Sequence, residues 1–231
     1  MLNHTPKSFK FSVAPELGQV SALLLRPPDA VALLVLAHGA GTDMRHRSMT
    51  ALSEALAEQR IATFRYNFPY KETGRGGPNS KPALLATVRA AVQAATEAGT
   101  GLPLFAGGRS MGGRMTSLAA SQSPLPAVNG LVFFAFPLHP AGKPSTQRAD
   151  HLFQVKVPLL FLQGPRDALA TPHLLQPIIE RLGTRAALHM LAGADHSFKV
   201  LKSSGRTEAE VLSEVAETAA GWMRARKANP V

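Results

Sequence analysis

Apolar residues fall along this chain in two alternating patterns, short uninterrupted runs and longer stretches with helical spacing. Residues 31–37 contain no polar side chain, which is typical of a strand covered on both faces in a parallel sheet. Residues 84–95 instead carry one apolar stripe with a period near 3.6, which predicts a helix. The runs predict strands over residues 9–13, 20–25, 31–37, 61–65, 102–106, 131–136, 157–163 and 186–191. Helices are predicted over residues 49–59, 84–95, 111–121, from 172 onwards and from 207 to 223.

Two of the predicted helices also carry signals at their first residues. Thr171 and Pro172 have the types expected at an N-cap and at the first helical position. Pro177 lies within the same segment and predicts a kink or a later start. Thr207 and Glu210 have the spacing of a capping box at the start of the last helix.

A strand followed by a helix recurs about five times, which predicts an α/β fold. The central sheet should be mostly parallel and doubly wound, with helices on both faces. At ~150 residues per typical domain, a chain of 231 residues predicts one domain over residues 1–231. Two long connections, residues 67–80 and 138–156, have the length of functional or mobile loops. Neither is long enough for a helical cap, so we expect a minimal cap domain or none.

Composition narrows the classes of site and of partner. The absence of cysteine excludes a disulfide framework, thiolate metal sites and a cysteine nucleophile. The apolar runs fall far short of the ~20 residues that span a bilayer, and the N-terminus lacks the apolar core of a secretory signal. We therefore expect a cytoplasmic protein that does not enter membranes. The net charge of +10 is scattered, and its densest cluster, Arg224, Arg226 and Lys227, suits a helix C-terminus better than nucleic-acid binding.

Residues 108–112 read Gly-Arg-Ser-Met-Gly, the pattern G-x-S-x-G. The motif follows the predicted strand 102–106 and opens a predicted helix, which is the context of a nucleophile elbow. A serine on such a sharp turn has an unfavourable backbone conformation, and its neighbours must be small for strand and helix to approach. Gly108 and Gly112 meet that need, so Ser110 is the predicted nucleophile. The alternative is a glycine-rich, phosphate-binding helix start, for which the chain lacks the usual patterns.

A serine nucleophile needs a base, and the base needs an acid that orients it. In this fold the acid follows the nucleophile and the base comes last. Asp167 follows the predicted strand 157–163 and His196 follows the strand 186–191, so both should lie at the carboxyl edge of the sheet. Asp150, in the loop after the strand 131–136, is the rival acid. Asp195 adjoins His196 and is expected to brace its loop.

Backbone donors and substrate contacts complete the candidate site. The sequence His-Gly-Ala-Gly at residues 38–41 has the H-G-x-G form of a loop that offers a backbone N–H to an oxyanion, and Met111 should offer the second. Two further sets of residues, three aromatics and two arginines, each have two possible roles. Tyr66, Phe68 and Tyr70 either wall a substrate pocket or anchor their loop. Arg109 and Arg114 either attract an anionic substrate or brace the elbow. His139 has no place as the base and is a further candidate substrate-binding residue.

Five stretches together resemble a known group of proteins. They are the elbow GGRSMGGR at 107–114, HGAG at 38–41, RYNFPY at 65–70, FPLHPAGKP at 136–144 and GPRD at 164–167. The chain is similar to small bacterial α/β-hydrolases related to testis-expressed protein thirty and NSL-complex subunit three, and distantly to dienelactone hydrolases. The resemblance implies an α/β-hydrolase fold, a triad of Ser110, Asp167 and His196, and oxyanion donors at Ala40 and Met111. It departs from dienelactone hydrolases at the nucleophile, which is cysteine in those enzymes.

These residues predict a serine hydrolase that acts through an acyl-enzyme, with a small carboxylic ester as its substrate. The chemistry needs no metal and no organic cofactor. A peptidase or thioesterase of the same fold is the first alternative, and a non-catalytic interaction module with a basic surface is the alternative from another class. We expect a monomer or a homodimer.

Overall fold

A computed structural model describes residues 5–74, 77–98 and 101–226, and within them eight strands form one sheet. The strands are β1 (Lys7–Ala14), β2 (Gly18–Leu25), β3 (Ala32–Ala37), β4 (Ile61–Tyr66), β5 (Leu104–Arg109), β6 (Val128–Phe134), β7 (Leu159–Gln163) and β8 (Ala186–Met190). Their order is β1-β2-β4-β3-β5-β6-β7-β8. The pairs β1–β2 and β2–β4 are antiparallel, and every pair from β4 to β8 is parallel.

The described residues also form six α-helices, which cover both faces of the sheet. The helices are α1 (Arg47–Glu58), α2 (Pro69–Glu72), α3 (Lys81–Glu97), α4 (Met111–Gln122), α5 (Pro172–Leu182) and α6 (Glu208–Arg224). Buried side chains of α1 and α6 pack on one face, and those of α3, α4 and α5 pack on the other. A 3₁₀ helix, Gln147–Gln154, packs beside α4. None of the described helices is long and apolar enough to cross a bilayer.

Burial of β3 explains the apolar run that contains it. Leu33 and Val35 pack into the core on one face of the sheet, and Leu34 and Leu36 pack into the core on the other. Alternate side chains of a strand point to opposite faces, so a strand covered on both sides has no position for a polar residue. The predicted fold class, a mostly parallel sheet between two layers of helices, is confirmed.

The main differences from the predicted elements lie where the chain leaves the sheet. Strand β5 continues to Arg109, three residues beyond its predicted end, and delivers the chain directly to residue 110. Strand β6 ends at Phe134 because Ala135 has a φ of 60°, which turns the chain out of the sheet. The predicted later start of the helix at Pro177 is wrong. Helix α5 begins at Pro172 and contains Pro177 in its interior.

The predicted helix ends are borne out in part. The capping box of Thr207 and Glu210 is present, with both reciprocal hydrogen bonds. Thr171 is the N-cap of α5, but its side chain makes no capping hydrogen bond. At the end of α6, Arg226 donates to the Trp222 carbonyl, as a basic residue at a helix C-terminus should, and Lys227 lies outside the described residues.

Candidate active site

Ser110 is the turn between β5 and α4. Its φ of 50° and ψ of −117° lie outside the regions that ordinary residues favour, and its N–H donates to the Phe134 carbonyl at 3.0 Å. A Cβ placed on either Gly108 or Gly112 would lie 2.5 Å from the Ala37 carbonyl oxygen. Only glycine lets strand β3 approach the elbow this closely. The local geometry is that of a nucleophile elbow, with the serine side chain held above the sheet.

Two hydrogen bonds connect the predicted nucleophile, base and acid. Ser110 Oγ lies 2.9 Å from His196 Nε2, and His196 Nδ1 lies 2.7 Å from Asp167 Oδ2. The Asp167 carboxylate is fully buried, and the His196 imidazole is 24% exposed. The structure therefore brings together three side chains that the sequence separates by up to 86 positions. Their catalytic roles remain predictions.

The Asp167 carboxylate accepts hydrogen bonds from two further groups besides His196. The Leu169 N–H donates to Oδ1 at 2.7 Å, and the Gln163 side-chain amide donates to Oδ2. Buried carboxylates are stable as anions only when such donors replace water. Sequence analysis missed Gln163, although a polar residue at the end of an apolar strand, four positions before the predicted acid, was a usable signal.

A close contact between two loops brings the acid to the base. A Cβ on Gly164 would lie 2.3 Å from the Ala194 carbonyl oxygen, and the Arg166 N–H donates to the same oxygen at 3.0 Å. Glycine at 164 therefore allows the turn after β7 to pack directly on the loop after β8. Asp195 Oδ1 accepts from the N–H groups of Ser197 and Lys199, which confirms the expected bracing role.

The rival acid Asp150 lies elsewhere. Its side chain is exposed on the 3₁₀ helix and faces a small groove that Phe153, His173 and Arg181 also line. The hydrogen bond from His196 Nδ1 goes to Asp167 instead. The geometry favours Asp167 over Asp150 as the orienting carboxylate.

The loop after β3 lies against the elbow and is fixed by His38. The imidazole Nδ1–H donates to the Gly39 carbonyl at 2.7 Å, and Nε2 accepts from the Phe68 N–H at 3.2 Å. Both bonds require the neutral ring, and burial lowers the pKa of His38 to about 4. His38 is thus a structural tie between two loops. A Cβ on Gly39 would lie 3.8 Å from Ser110 Cβ, so the tied loop is next to the elbow.

Two backbone N–H groups at the elbow have no acceptor among the described residues. They belong to Ala40 and to Met111, the first residue of α4, where helical geometry provides none. The Tyr70 hydroxyl donates to the Ala40 carbonyl at 2.8 Å and thereby fixes the orientation of the loop. Such preorganised donors are what an oxyanion requires, and their role as an oxyanion hole stays a prediction.

The pocket-wall interpretation of the aromatic loop residues is wrong. Tyr66, Phe68 and Tyr70 are at most 1% exposed and belong to the hydrophobic core, so they offer no surface to a substrate. Phe68 and Tyr70 instead stack on each other and contact the edge of His38. These aromatics anchor the loop, which is the second of the two alternatives.

His139 is likewise misassigned as a substrate-binding residue. It is 1% exposed, its Nδ1–H donates to the Pro140 carbonyl at 2.9 Å, and Nε2 lies 3.2 Å from Thr171 Oγ1. A histidine whose two nitrogens are both occupied inside the protein has no group left for a ligand. It ties the loop after β6 to the start of α5.

Comparison with known proteins identifies the family. Residues 30–224 match the family described as the alpha/beta hydrolase domain. This chain is a member of that family. The dienelactone hydrolase from Anabaena variabilis superposes with a TM-score of 0.75 at 21% identity, covering 97% of this α/β-hydrolase and 100% of that chain. XC6422 from Xanthomonas campestris, described as a serine hydrolase without lid, gives a TM-score of 0.70 at 21% identity over 100% and 99%.

An esterase domain of a Rhodothermus marinus protein is a third similar structure. Its TM-score is 0.73 at 19% identity, covering 97% of this α/β-hydrolase and 100% of that chain. Identities this low establish a shared fold and no more. No group of three or more potential metal-ligating side chains occurs in the described part of this α/β-hydrolase.

The two arginines beside the elbow of this α/β-hydrolase have unlike surroundings. Arg109 donates to the His196 carbonyl at 3.3 Å and lies 5.2 Å over the Phe198 ring. Burial lowers the pKa of Arg109, and Asp195 and Asp167 oppose that shift. Arg109 therefore braces the loop that carries the predicted base. Burial also lowers the pKa of Arg114, and the nearby charge of Arg148 lowers it further.

Proposed function

We propose that this α/β-hydrolase is a serine hydrolase that cleaves a carboxylic ester through an acyl-enzyme. The observation that carries the proposal is the continuous hydrogen-bonded series from Ser110 Oγ to His196 and from His196 to Asp167, at 2.9 and 2.7 Å. The strained backbone of Ser110 supports the same conclusion, because strain at a single residue is retained where function needs it.

In the acylation step, the Asp167 carboxylate accepts the Nδ1–H of His196, which leaves Nε2 with a free electron pair. Nε2 takes the proton of Ser110 as Oγ attacks the carbonyl carbon of the ester. The carbonyl π electrons move to oxygen, and the N–H groups of Ala40 and Met111 stabilise that oxyanion. When the tetrahedral intermediate collapses, the bond to the alkoxy group breaks. The leaving oxygen takes the proton from His196, which yields the alcohol and an ester on Ser110.

Deacylation repeats the sequence with water. His196 removes a proton from water, the hydroxide attacks the acyl carbon, and the oxyanion forms against the same two donors. Collapse releases the carboxylic acid and returns the proton to Ser110 Oγ. Each oxyanion donor is worth roughly 3–4 kcal/mol of transition-state stabilisation, and the base contributes on the order of 10²–10⁴ in rate.

An ester is the substrate class best supported by the structural relatives. Those relatives include proteins described as a dienelactone hydrolase and as an esterase domain, and a lactone is a cyclic ester. The thioesterase and peptidase alternatives use the same three side chains. Within the family, we propose the group related to testis-expressed protein thirty and NSL-complex subunit three. A single domain, a cytoplasmic location and a monomer or homodimer remain predictions.

Labelling by a fluorophosphonate probe tests the proposal, because such a probe attaches covalently to an activated serine. We expect labelling of the wild type at Ser110 and none of Ser110→Ala. Ser121→Ala, on the same helix α4, is the matched control and should be labelled like the wild type. A folded wild-type protein that is not labelled and hydrolyses neither ester nor amide would refute the proposal. The interaction module would then be the better interpretation.

A further inference from the structure

Helix α4, which begins directly after Ser110, packs against the 3₁₀ helix Gln147–Gln154. Ser117 Oγ and His151 Nε2 lie 2.7 Å apart across this contact. Arg114 precedes Ser117 by three positions, and Arg148 precedes His151 by three positions. Residues three apart lie on one face of an α-helix and are nearly eclipsed on a 3₁₀ helix. Helix α4 connects the parallel strands β5 and β6, and the 3₁₀ helix connects the parallel strands β6 and β7, so both run in the same direction, away from the carboxyl edge of the sheet. This shared direction sets Arg114 and Arg148 near each other, one turn nearer to the elbow than the Ser117–His151 pair, and the charge of Arg148 acts on Arg114.

Arg114 lies four residues after Ser110, about one helical turn along α4. Its N–H donates to the Ser110 carbonyl at 3.1 Å. Side chains on a helix lean toward its N-terminus, so the side chain of Arg114 lies over the turn that begins at the predicted nucleophile. The arginine pair is accordingly at the same edge of the sheet as the candidate active site.

Neither arginine of this pair has an anionic partner in the described residues. Arg114 Nε is buried and has no hydrogen-bond acceptor, and no ion pair involves Arg114 or Arg148. Elsewhere, Arg60 is paired with Asp29 and Arg206 with Glu214. Bracing of the elbow by Arg114 would need acceptors for its guanidinium, as Arg109 has, and the structure provides none.

Two half-buried guanidinium groups of like charge are costly unless an anion neutralises them. The planar fork of arginine matches the two oxygens of a carboxylate or a similar oxyanion. We propose that Arg114 and Arg148 bind an anionic group, such as a carboxylate, carried by the ester substrate. This inference rests on the proposed function and adds to it a substrate class, esters that carry a second, negatively charged group.

The buried histidine between the helices agrees with this arrangement. Burial, and secondarily the charge of Arg114, lower the pKa of His151 to about 4, so the ring is neutral at pH 7. A neutral His151 shares a hydrogen bond with the Ser117 hydroxyl and adds no third positive charge. Within the described part of the chain, the cluster thus presents two cations and no anion that forms an ion pair with them.

The test compares mono-4-nitrophenyl glutarate with its methyl ester, which lacks the negative charge and adds one methyl group, and it follows the release of 4-nitrophenol from both. We expect the wild type to favour the carboxylate, with a ratio of the two kcat/KM values of about 100 or more. Arg114→Gln and Arg148→Gln should each reduce that ratio between about 10- and 100-fold, the range of a charge-assisted hydrogen bond. The two variants are independent tests if one of them fails to fold.

Arg224→Gln is the control for net charge. Arg224 is exposed, and it donates to the carbonyl of Gln59, the C-cap of α1. The Arg224→Gln substitution removes the same charge at the C-terminal end of α6. The ratio of the two kcat/KM values should stay at the wild-type value. A wild-type ratio near one, or a ratio unaltered in both cluster variants, would overturn the inference.

Fluorophosphonate labelling separates this failure from failure of the proposed function. Labelled protein that hydrolyses the two esters equally would refute the anion site and leave the serine hydrolase standing. Unlabelled protein that hydrolyses neither ester would refute both.

Discussion

Arg109 and Arg114 flank the same serine and are both half-buried, yet their surroundings are opposite. Arg109 has a carbonyl acceptor, an aromatic face and two nearby carboxylates. Arg114 has a buried Nε without an acceptor and a second arginine beside it. Residue type and distance from the nucleophile along the chain are therefore poor guides to role. The partners that the fold brings to each guanidinium distinguish them.

The same contrast extends to the two flanks of the elbow. On the flank of His196, the imidazole, the Asp167 carboxylate and Arg109 all have hydrogen-bond partners inside the protein. On the flank of the 3₁₀ helix, Arg114 and Arg148 have no ion-pair partner among the described residues, and Arg114 Nε has no acceptor there. We call the flank of His196 the saturated flank, because its polar groups all have hydrogen-bond partners. It holds a fixed geometry, since each group loses a hydrogen bond if it moves. On the other flank, the guanidinium groups of Arg114 and Arg148 can still donate hydrogen bonds to a ligand.

Asp167→Asn should give the largest effect on the saturated flank. An asparagine amide donates where the carboxylate accepted, so it stabilises the wrong tautomer of His196 and opposes the Gln163 donor. We expect kcat for an ester to fall by about 10⁴. Asp150→Asn is the matched control, and its kcat should stay within about twofold of wild type. If Asp150→Asn instead loses activity while Asp167→Asn retains it, the acid is misassigned.

Arg109→Met should have an intermediate effect, on geometry and on stability together. The variant loses a charged hydrogen bond to the His196 carbonyl and the contact with Phe198, and the base shifts relative to Ser110. We expect kcat to fall about 10- to 100-fold and the free energy of unfolding to fall by about 1–3 kcal/mol. Urea denaturation and steady-state kinetics measure the two quantities. Wild-type kcat in a folded Arg109→Met protein would contradict the bracing role.

Features that depend on local patterns could be predicted from the sequence. The β3 strand follows from its unbroken apolar run, and the Ser110 elbow follows from small residues between a strand and a helix. The convergence of Asp167 and His196 follows from a rule of topology, because carboxyl ends of parallel strands share one edge. The capping box of Thr207 and Glu210 could be predicted because it depends only on two residue types three positions apart.

Features that depend on tertiary contacts could not be predicted in this way. Tyr70 is an aromatic residue in a loop near the predicted active site, which is also what a pocket wall would contain. Only the fold reveals that Tyr70 is buried in the core and that its hydroxyl donates to the Ala40 carbonyl. The same holds for His139. Its Nδ1 bonds to the Pro140 carbonyl, one position away, and its Nε2 bonds to Thr171 Oγ1, 32 positions away. The position of Arg148 near Arg114 depends on the packing of a 3₁₀ helix inside the connection 138–156, for which sequence analysis predicted no regular element.

Arg114→Met should have the smallest effect on stability, which distinguishes it most sharply from Arg109→Met. Methionine keeps most of the apolar stem and removes the repulsion with Arg148, so the free energy of unfolding at pH 7 should change by less than about 1 kcal/mol. A loss above about 2 kcal/mol would reveal an internal partner for Arg114 and end the contrast between the two arginines.

Acid titration of the same variant tests the charge of Arg114 through its neighbour His151. The pKa of His151 lies at about 4 in the folded protein and at an ordinary value of 6.5 in the unfolded chain. Below pH 6.5 the unfolded chain therefore binds the proton first, and stability is lost until the pH reaches about 4. Removing the Arg114 charge raises the folded pKa, so Arg114→Met should lose less stability than wild type between pH 6.5 and 4.5. Urea denaturation at both pH values measures the difference, and an equal or steeper loss in the variant would show that the Arg114 guanidinium does not act on His151.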